Sequence, residues 1–146
     1  MMSNTGEMSD PYNLQRFVDA QNGIFEQVRS ELREGRKRSH WMWFIFPQFR
    51  GLGHSHLAEV FAIASKGEAQ AYLDHAVLAH RLRECTQLVN QVQGRTVEEI
   101  FGSPDDLKFR SSMTLFAQVT ADNQVFVEAL RKYCNGELDR STLERL

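Results

Sequence analysis

The sequence predicts an all-α protein, a single multihelical domain that leaves room for a minor extended segment. Three observations point there. Apolar residues recur at helical spacing in one segment after another between Leu14 and Tyr133. Start and stop signals punctuate those segments: an aspartate or serine before proline at Asp10-Pro11 and Ser103-Pro104, and glycines at Gly35, Gly94 and Gly136. Period-two alternation is almost missing. The strand-like candidates are Trp41–Phe46 and part of Met113–Val119.

Residues 1–9 are polar and are expected to be a disordered tail, followed by one helical domain over 10–146. Asp10 supplies a capping carboxylate and Pro11 a first helical position. Leu14, Phe17, Val18, Gln21, Ile24, Phe25, Val28 and Leu32 then trace one long helix ending at Gly35, weakened at Gly23. Ser55 caps a short helix carrying Leu57, Val60, Phe61 and Ala64, stopped near Gly67. Glu68–His75 reads as another, with Ala69, Tyr72 and Leu73 inward. Leu78, Leu82, Cys85, Leu88, Val89 and Val92 mark a longer helix ending at Gly94. Thr96 and Glu99 match a capping box for a brief helix through Phe101. Ser103-Pro104-Asp105-Asp106 is a further start, with two acids that suit the helix dipole. Asp122 is placed to cap a helix through Tyr133 closed by Gly136, and Asp139 or Ser141 begins the last turns.

Composition bounds the function. A chain of 146 residues suits one domain, large enough to bury roughly 68–70% of its unfolded surface. Hydrophobic residues are 42% and charged residues 25%, and ten phenylalanines imply an aromatic core. A net charge of −2 disfavours nucleic acid as the partner. The longest apolar run, Trp41–Phe46, is far short of a membrane span. The first residues, MMSNTGEMSD, have no apolar leader, and Cys85 and Cys134 both fall in helical patterns, so free thiols in a reducing cytoplasm are expected.

The candidate site begins at GRKRSHWMWFIFPQFRGLG, residues 35–53. Trp41 to Phe46 are apolar without interruption, so neither a helical nor a strand period exposes half of them. They are buried or they cover something. Just before them lie Arg36, Lys37, Arg38 and His40. These cations suit the carbonyl end of a helix, and equally an anion clamp built from arginine forks and a lysine charge. His40 is the candidate catalytic residue because it titrates near neutrality; a hydrogen-bonded structural role is the plainer reading. Trp41 and Trp43 are core residues or a stacking wall whose indole N–H groups need partners. Gln48 could hydrogen-bond at the same mouth, and Gly51 and Gly53 let backbone approach a ligand. The dinucleotide fingerprint fails for want of a third glycine, since His56 stands in its place.

A second cluster is Lys108-Phe109-Arg110-Ser111-Ser112-Met113-Thr114. On a helix, Lys108, Ser111 and Ser112 share a face, with Thr114 on the adjoining stripe. The hydroxyls either line a polar site or bond to the carbonyl four residues back. No serine triad, paired carboxylates or metal motif appears. His54 and His56 alone make too few ligands for zinc, so no metal and no cofactor are expected.

The stretches DPYNLQRFVDAQ, ELREGRKRSHWMWFIFPQFRGLGHS, EAQAYLDH and KFRSSMTLF resemble the bacterial family of domains of unknown function numbered eighteen-ten, whose members are sometimes mislabelled calpastatin. The resemblance spans about residues 10–146 and implies a small, mainly helical cytoplasmic domain with no established activity. Where that family has His-Pro-x-Leu-Gly, this chain reads His75-Ala76-Val77-Leu78-Ala79, and Cys134 replaces a usual aromatic. The C-terminal half is also similar in order to the NADAR family, which is linked to ADP-ribose and riboside chemistry. That likeness implies Lys or Arg on phosphate, a stacked Trp and an acid, with Asp122 and Asp139 as candidates. The leading expectation is an anionic, nucleotide-like small molecule (ADP-ribose or NAD-related), bound or processed between residues 35–53 and the Lys108 helix. The rival is a protein-interaction module built on the aromatic block and its Arg29–Arg38 rim, without a small ligand.

Overall fold

The structure is a computed structural model that describes residues 10–146. The expected disordered tail, residues 1–9, lies outside the described residues. Among the described residues the chain forms ten helices. In order these are α1 (Gln15–Asn22), α2 (Phe25–Glu34), α3 (Met42–Ile45), α4 (His56–Val60), α5 (Lys66–Asp74), α6 (Ala76–Gln91), α7 (Val97–Phe101), α8 (Asp105–Gln118), α9 (Gln124–Cys134) and α10 (Arg140–Arg145). The all-α expectation holds. The extended pairing among these residues is a single parallel bridge between Phe49 and Ile63, with Arg50 N donating to Ile63 O at 2.8 Å and Ile63 N to Gln48 O at 3.0 Å.

Two helices organise the packing. The α8 helix is enclosed, with Phe109 and every residue from Ser111 to Ala117 buried, and it touches α5, α7, α9 and α10. Helix α6 packs on α1, α2, α3, α5 and α9. Two aromatic groups are built around rings of α8. Phe46, Phe101 and Phe109 meet at ring distances of 5.1, 5.8 and 4.7 Å, with Trp41 6.5 Å from Phe101. Phe17, Tyr72 and Phe116 form the other, Phe17 edge-on to Tyr72 at 5.1 Å. Each such ring contributes ~1.5–3 kcal/mol by burial, and a well-placed pair ~0.5–1.5 kcal/mol more.

Several capping expectations hold. Ser55 Oγ accepts from Ala58 N, Thr96 and Glu99 close a capping box, and the Asp139 carboxylate accepts from Thr142 N. Both strand-like candidates are helical instead. Trp41–Phe46 makes one helical turn, with Ile45 N on Trp41 O and Phe46 N on Met42 O. That turn sorts the apolar run by face: Trp41, Met42, Ile45 and Phe46 are buried, while Trp43 and Phe44 are half-buried. Met113–Gln118 belongs to the enclosed α8, with Val119 at its C-cap, and the buried faces of that helix leave no amphipathic signal.

Other elements start or stop elsewhere than expected. The predicted long first helix breaks at Gly23 into α1 and α2. The Asp10 carboxylate caps Leu14 N and Gln15 N at 2.7 and 3.0 Å, because Pro11–Asn13 form a turn rather than the first helical residues. The α4 helix ends at Phe61, well before Gly67. Phe61 packs on Phe17 and Phe44, and the chain then extends into the bridge at Ile63. Ser103 does not cap α8; Gly102 O and Pro104 O take the first amides. Asp122 does not cap α9, where Asn123 holds the cap position and the Asp122 carboxylate lies 3.9 Å from Arg83.

Two glycines should respond oppositely to alanine. Gly23 has φ −85° and open space around an added Cβ, so Gly23→Ala should stabilise by about 0.4–1 kcal/mol. Gly35 has φ +74°, and its Cβ would stand 2.9 Å from Val92 Cγ1, so Gly35→Ala should cost about 1–3 kcal/mol. Urea melts of the two variants check both signs.

Candidate functional site

The site is organised by a carboxylate that sequence reasoning missed. Glu31 lies on the inner side of α2 between Val28 and Leu32 and is 4% exposed. No cation pairs with it among the described residues. Five donors do: to Oε1, Arg38 N at 2.8 Å, Ser39 N at 3.1 Å and Trp41 Nε1 at 2.9 Å; to Oε2, Ser39 Oγ at 2.6 Å and Gln27 Nε2 at 3.1 Å. Burial pushes the carboxyl pKa up, but the hydrogen bonds from Ser39, Arg38, Trp41 and Gln27 outweigh it and hold the value at about 2. A charged residue on an apolar helical stripe was the available signal. The α2 helix ends at Gly35, and the following segment is pinned again where Lys37 N donates to Ile100 O at 2.7 Å.

This pinning carries Lys37 to α8. Lys37 Nζ lies 2.9 Å from Asp105 Oδ2, and Lys108 Nζ 3.2 Å from Asp105 Oδ1. Each lysine also sits over an indole, Lys37 5.3 Å from Trp41 and Lys108 5.0 Å from Trp43. Residues 35–53 and the Lys108 helix are therefore neighbours. Asp105, explained in the sequence as part of a helix start, is the group that joins them. The trio keeps one net positive charge, but both ammonium groups are engaged.

The remaining candidates separate. Trp41 is fully buried and its indole serves Glu31, so it offers no face to a ligand, while Trp43 is half-buried under Lys108. His40 is exposed, and its ring makes no hydrogen bond among the described residues. Ser111 Oγ donates to Leu107 O and Thr114 Oγ1 to Arg110 O, each four residues back; Thr114 also receives Asp139 N at 2.9 Å. Ser112 Oγ is buried without a partner among the described residues. These hydroxyls serve the packing of α8. Asp139 caps α10 and Asp122 stands at the surface, so neither faces Lys37 or Lys108 as an acid would.

Gly51 and Gly53 do lie at a cavity. It has a volume of about 280 Å³ and is lined by Arg50, Gly51, Gly53, His54, Ala58, Glu59 and Ala62. Gln48 is next to Gly53, with Nε2 3.6 Å from where a Cβ on Gly53 would stand. Gly51 has φ +93°. Among the described residues no group of three or more His, Cys, Asp or Glu is placed to hold a metal ion. Burial pushes the Cys85 thiol up to about 12 and raises that of Cys134, so neither is an activated nucleophile. No helix among the described residues is long and apolar enough to cross a membrane.

A family model described as protein of unknown function, DUF1810, matches residues 11–146. The chain belongs to the DUF1810 family. A solved DUF1810-like structure is the crystal structure of the conserved hypothetical protein Rv1873 from Mycobacterium tuberculosis. It is 61% identical, with a TM-score of 0.93, over 94% of this chain and 98% of that one. No curated protein matches the chain. The NADAR likeness is not shown by these comparisons. The departure from the DUF1810 pattern at residues 75–79 has a plain setting: His75 Nδ1 accepts from Val77 N and Leu78 N at 3.2 Å, and Ala76 stands first in α6, where proline is equally at home.

Asp105 should matter more than a helix-start acid does. Removing it leaves Lys37, whose side chain is 9% exposed, without a counter-charge. Asp105→Ala should cost about 1–3 kcal/mol, while Asp106→Ala on the same first turn should cost about 0.3–1 kcal/mol. Denaturant melts of both variants measure the gap.

Proposed function

We propose that this domain binds a small anionic molecule in the cavity beside the Gly51 turn and catalyses no reaction on it. The observation that carries this reading is an unpaired guanidinium at the cavity. Arg50 lines it with His54 and Glu59, and has no acidic partner among the described residues. Arginine presents a planar fork that matches phosphate or carboxylate. Gly51 and Gly53 bring main chain to the wall, and Gln48 sets an amide beside Gly53. Among the described residues no nucleophile–base pair stands at the cavity, which supports binding over chemistry.

Lys37 and Lys108 are a poorer seat for the anion, since a ligand there must displace the Asp105 carboxylate. The volume also narrows the ligand. At about 280 Å³ it falls just below the roughly 300–1,000 Å³ of pockets that enclose drug-sized ligands. A phosphorylated or carboxylated metabolite, or the phosphate end of a mononucleotide, fits better than enclosed NAD or ADP-ribose. The interaction-module reading draws less support, because Trp41, Met42, Ile45 and Phe46 sit in the core and leave the proposed docking patch inside the protein.

Thermal-shift and calorimetric titrations with inorganic phosphate, AMP and citrate provide the test. At about a hundred times Kd, a ligand should add about 2.7 kcal/mol of stability. The effect should vanish in Arg50→Ala and persist in Lys108→Ala. No shift with any of the three anions, or a shift lost in Lys108→Ala and kept in Arg50→Ala, would refute the assignment.

A further inference from the structure

We infer that Arg145, on the last helix, is a second guanidinium arm for an anion at the Gly51 turn, and that docking of α10 is coupled to anion binding there. This rests on the preceding reading of the cavity. Arg145 is 95 positions from Arg50 in the sequence, and nothing in its own helix marks it as a ligand group. The geometry does. A Cβ built on Gly51 would lie 3.1 Å from Arg145 Nε, 3.4 Å from Nη2 and 3.7 Å from Cζ. The guanidinium therefore packs on the turn that forms the cavity wall, in a place that only glycine leaves open. Its Nη1 donates to Ser141 O at 3.1 Å, while Nε and Nη2 have no partner among the described residues. Those two donors form one side of the planar fork that binds phosphate or carboxylate bidentately.

The way α10 is held makes such coupling effective. Within α10 only Thr142 is buried. The helix is attached through polar links: Asp139 N to Thr114 Oγ1 at 2.9 Å, the Asp139 carboxylate capping Thr142, and Arg110 3.8–3.9 Å from Asp139 and Glu137. Elements with few buried apolar contacts open at low free-energy cost. An anion that draws in Arg145 would be bound by two guanidinium groups, Arg50 and Arg145, against the single Glu59. By linkage, the same contact holds α10 against α8 and the Gly51 turn.

The test uses the full chain with inorganic phosphate as the probe. Arg145→Ala, Arg145→Lys and wild type are titrated by calorimetry. Amide exchange over residues 137–146 is followed by mass spectrometry with and without phosphate. Arg145 is at the surface, and far-UV circular dichroism checks that each variant keeps its helices. The expected result is phosphate binding weakened about tenfold or more in Arg145→Ala and only partly restored by lysine. Exchange over 137–146 should slow on adding phosphate to wild type and not to Arg145→Ala. Phosphate binding lost in Arg50→Ala but unchanged in Arg145→Ala, or unchanged exchange over 137–146 on saturation, overturns the role of Arg145 while leaving the cavity assignment standing. Absence of phosphate binding by wild type overturns both.

Discussion

The structure depends on a buried carboxylate satisfied entirely by neutral donors. Glu31 sits inside the protein without a cationic partner among the described residues, an arrangement that would ordinarily protonate the group or expel it. Five hydrogen bonds keep it charged. Three of the donor residues, Arg38, Ser39 and Trp41, come from the segment just after the helix that carries it, so the negative charge folds that segment back on α2. The Gly35 turn makes this geometrically available: a left-handed residue reverses the chain at the helix end, with Arg36 N returning to Glu31 O.

Everything downstream follows the placement of residues 36–41. With its indole N–H committed to Glu31, Trp41 enters the core beside Phe46 and Phe101, and the α3 turn is fixed. Phe46 then meets Phe109, which joins this region to the enclosed α8. Lys37, carried on the same segment, reaches Asp105 at the start of α8 and shares it with Lys108. The basic run that looks in the sequence like a ligand clamp is thus largely an internal fastening. A concave surface with an uncommitted arginine lies further on, where Arg50 and Gly51 follow the Phe49–Ile63 bridge.

Much of the fold was legible because helices announce themselves locally. Ser55, the Thr96–Glu99 box and Asp139 each cap as their spacing indicates, and the glycine at 35 ends its helix. What was not legible depends on tertiary context. Trp41–Phe46 reads as featureless because Trp43 and Phe44 are half covered by Lys108 and Phe61, partners distant in sequence. Asp105 carries a local explanation as a helix-start acid, and that hid its pairing with Lys37. Ser111 and Thr114 look like a polar lining until the carbonyls four residues back are seen to take their protons. Of the candidate site residues, Gly51 and Gly53 lie together at one cavity with Gln48 next to Gly53, while Arg50 and Arg145 gave no signal, since nothing local ties residue 145 to the turn at 51.

The central claim is that the Glu31 charge, through its hydrogen bonds, holds residues 36–41 in place. Its pKa is lowered from 4.5 to about 2, so the associated stability, ~3 kcal/mol, is fully present above about pH 4.5 and is lost as the pH falls toward 2. The most direct measurement is the unfolding free energy of wild type and Glu31→Gln, by urea melts at intervals from pH 7 to pH 3. The account predicts a wild-type advantage of ~3 kcal/mol at neutral pH that begins to shrink below about pH 4.5 and narrows steadily to the end of the series. A difference that stays constant across this range, or one below ~0.5 kcal/mol at pH 7, would contradict it.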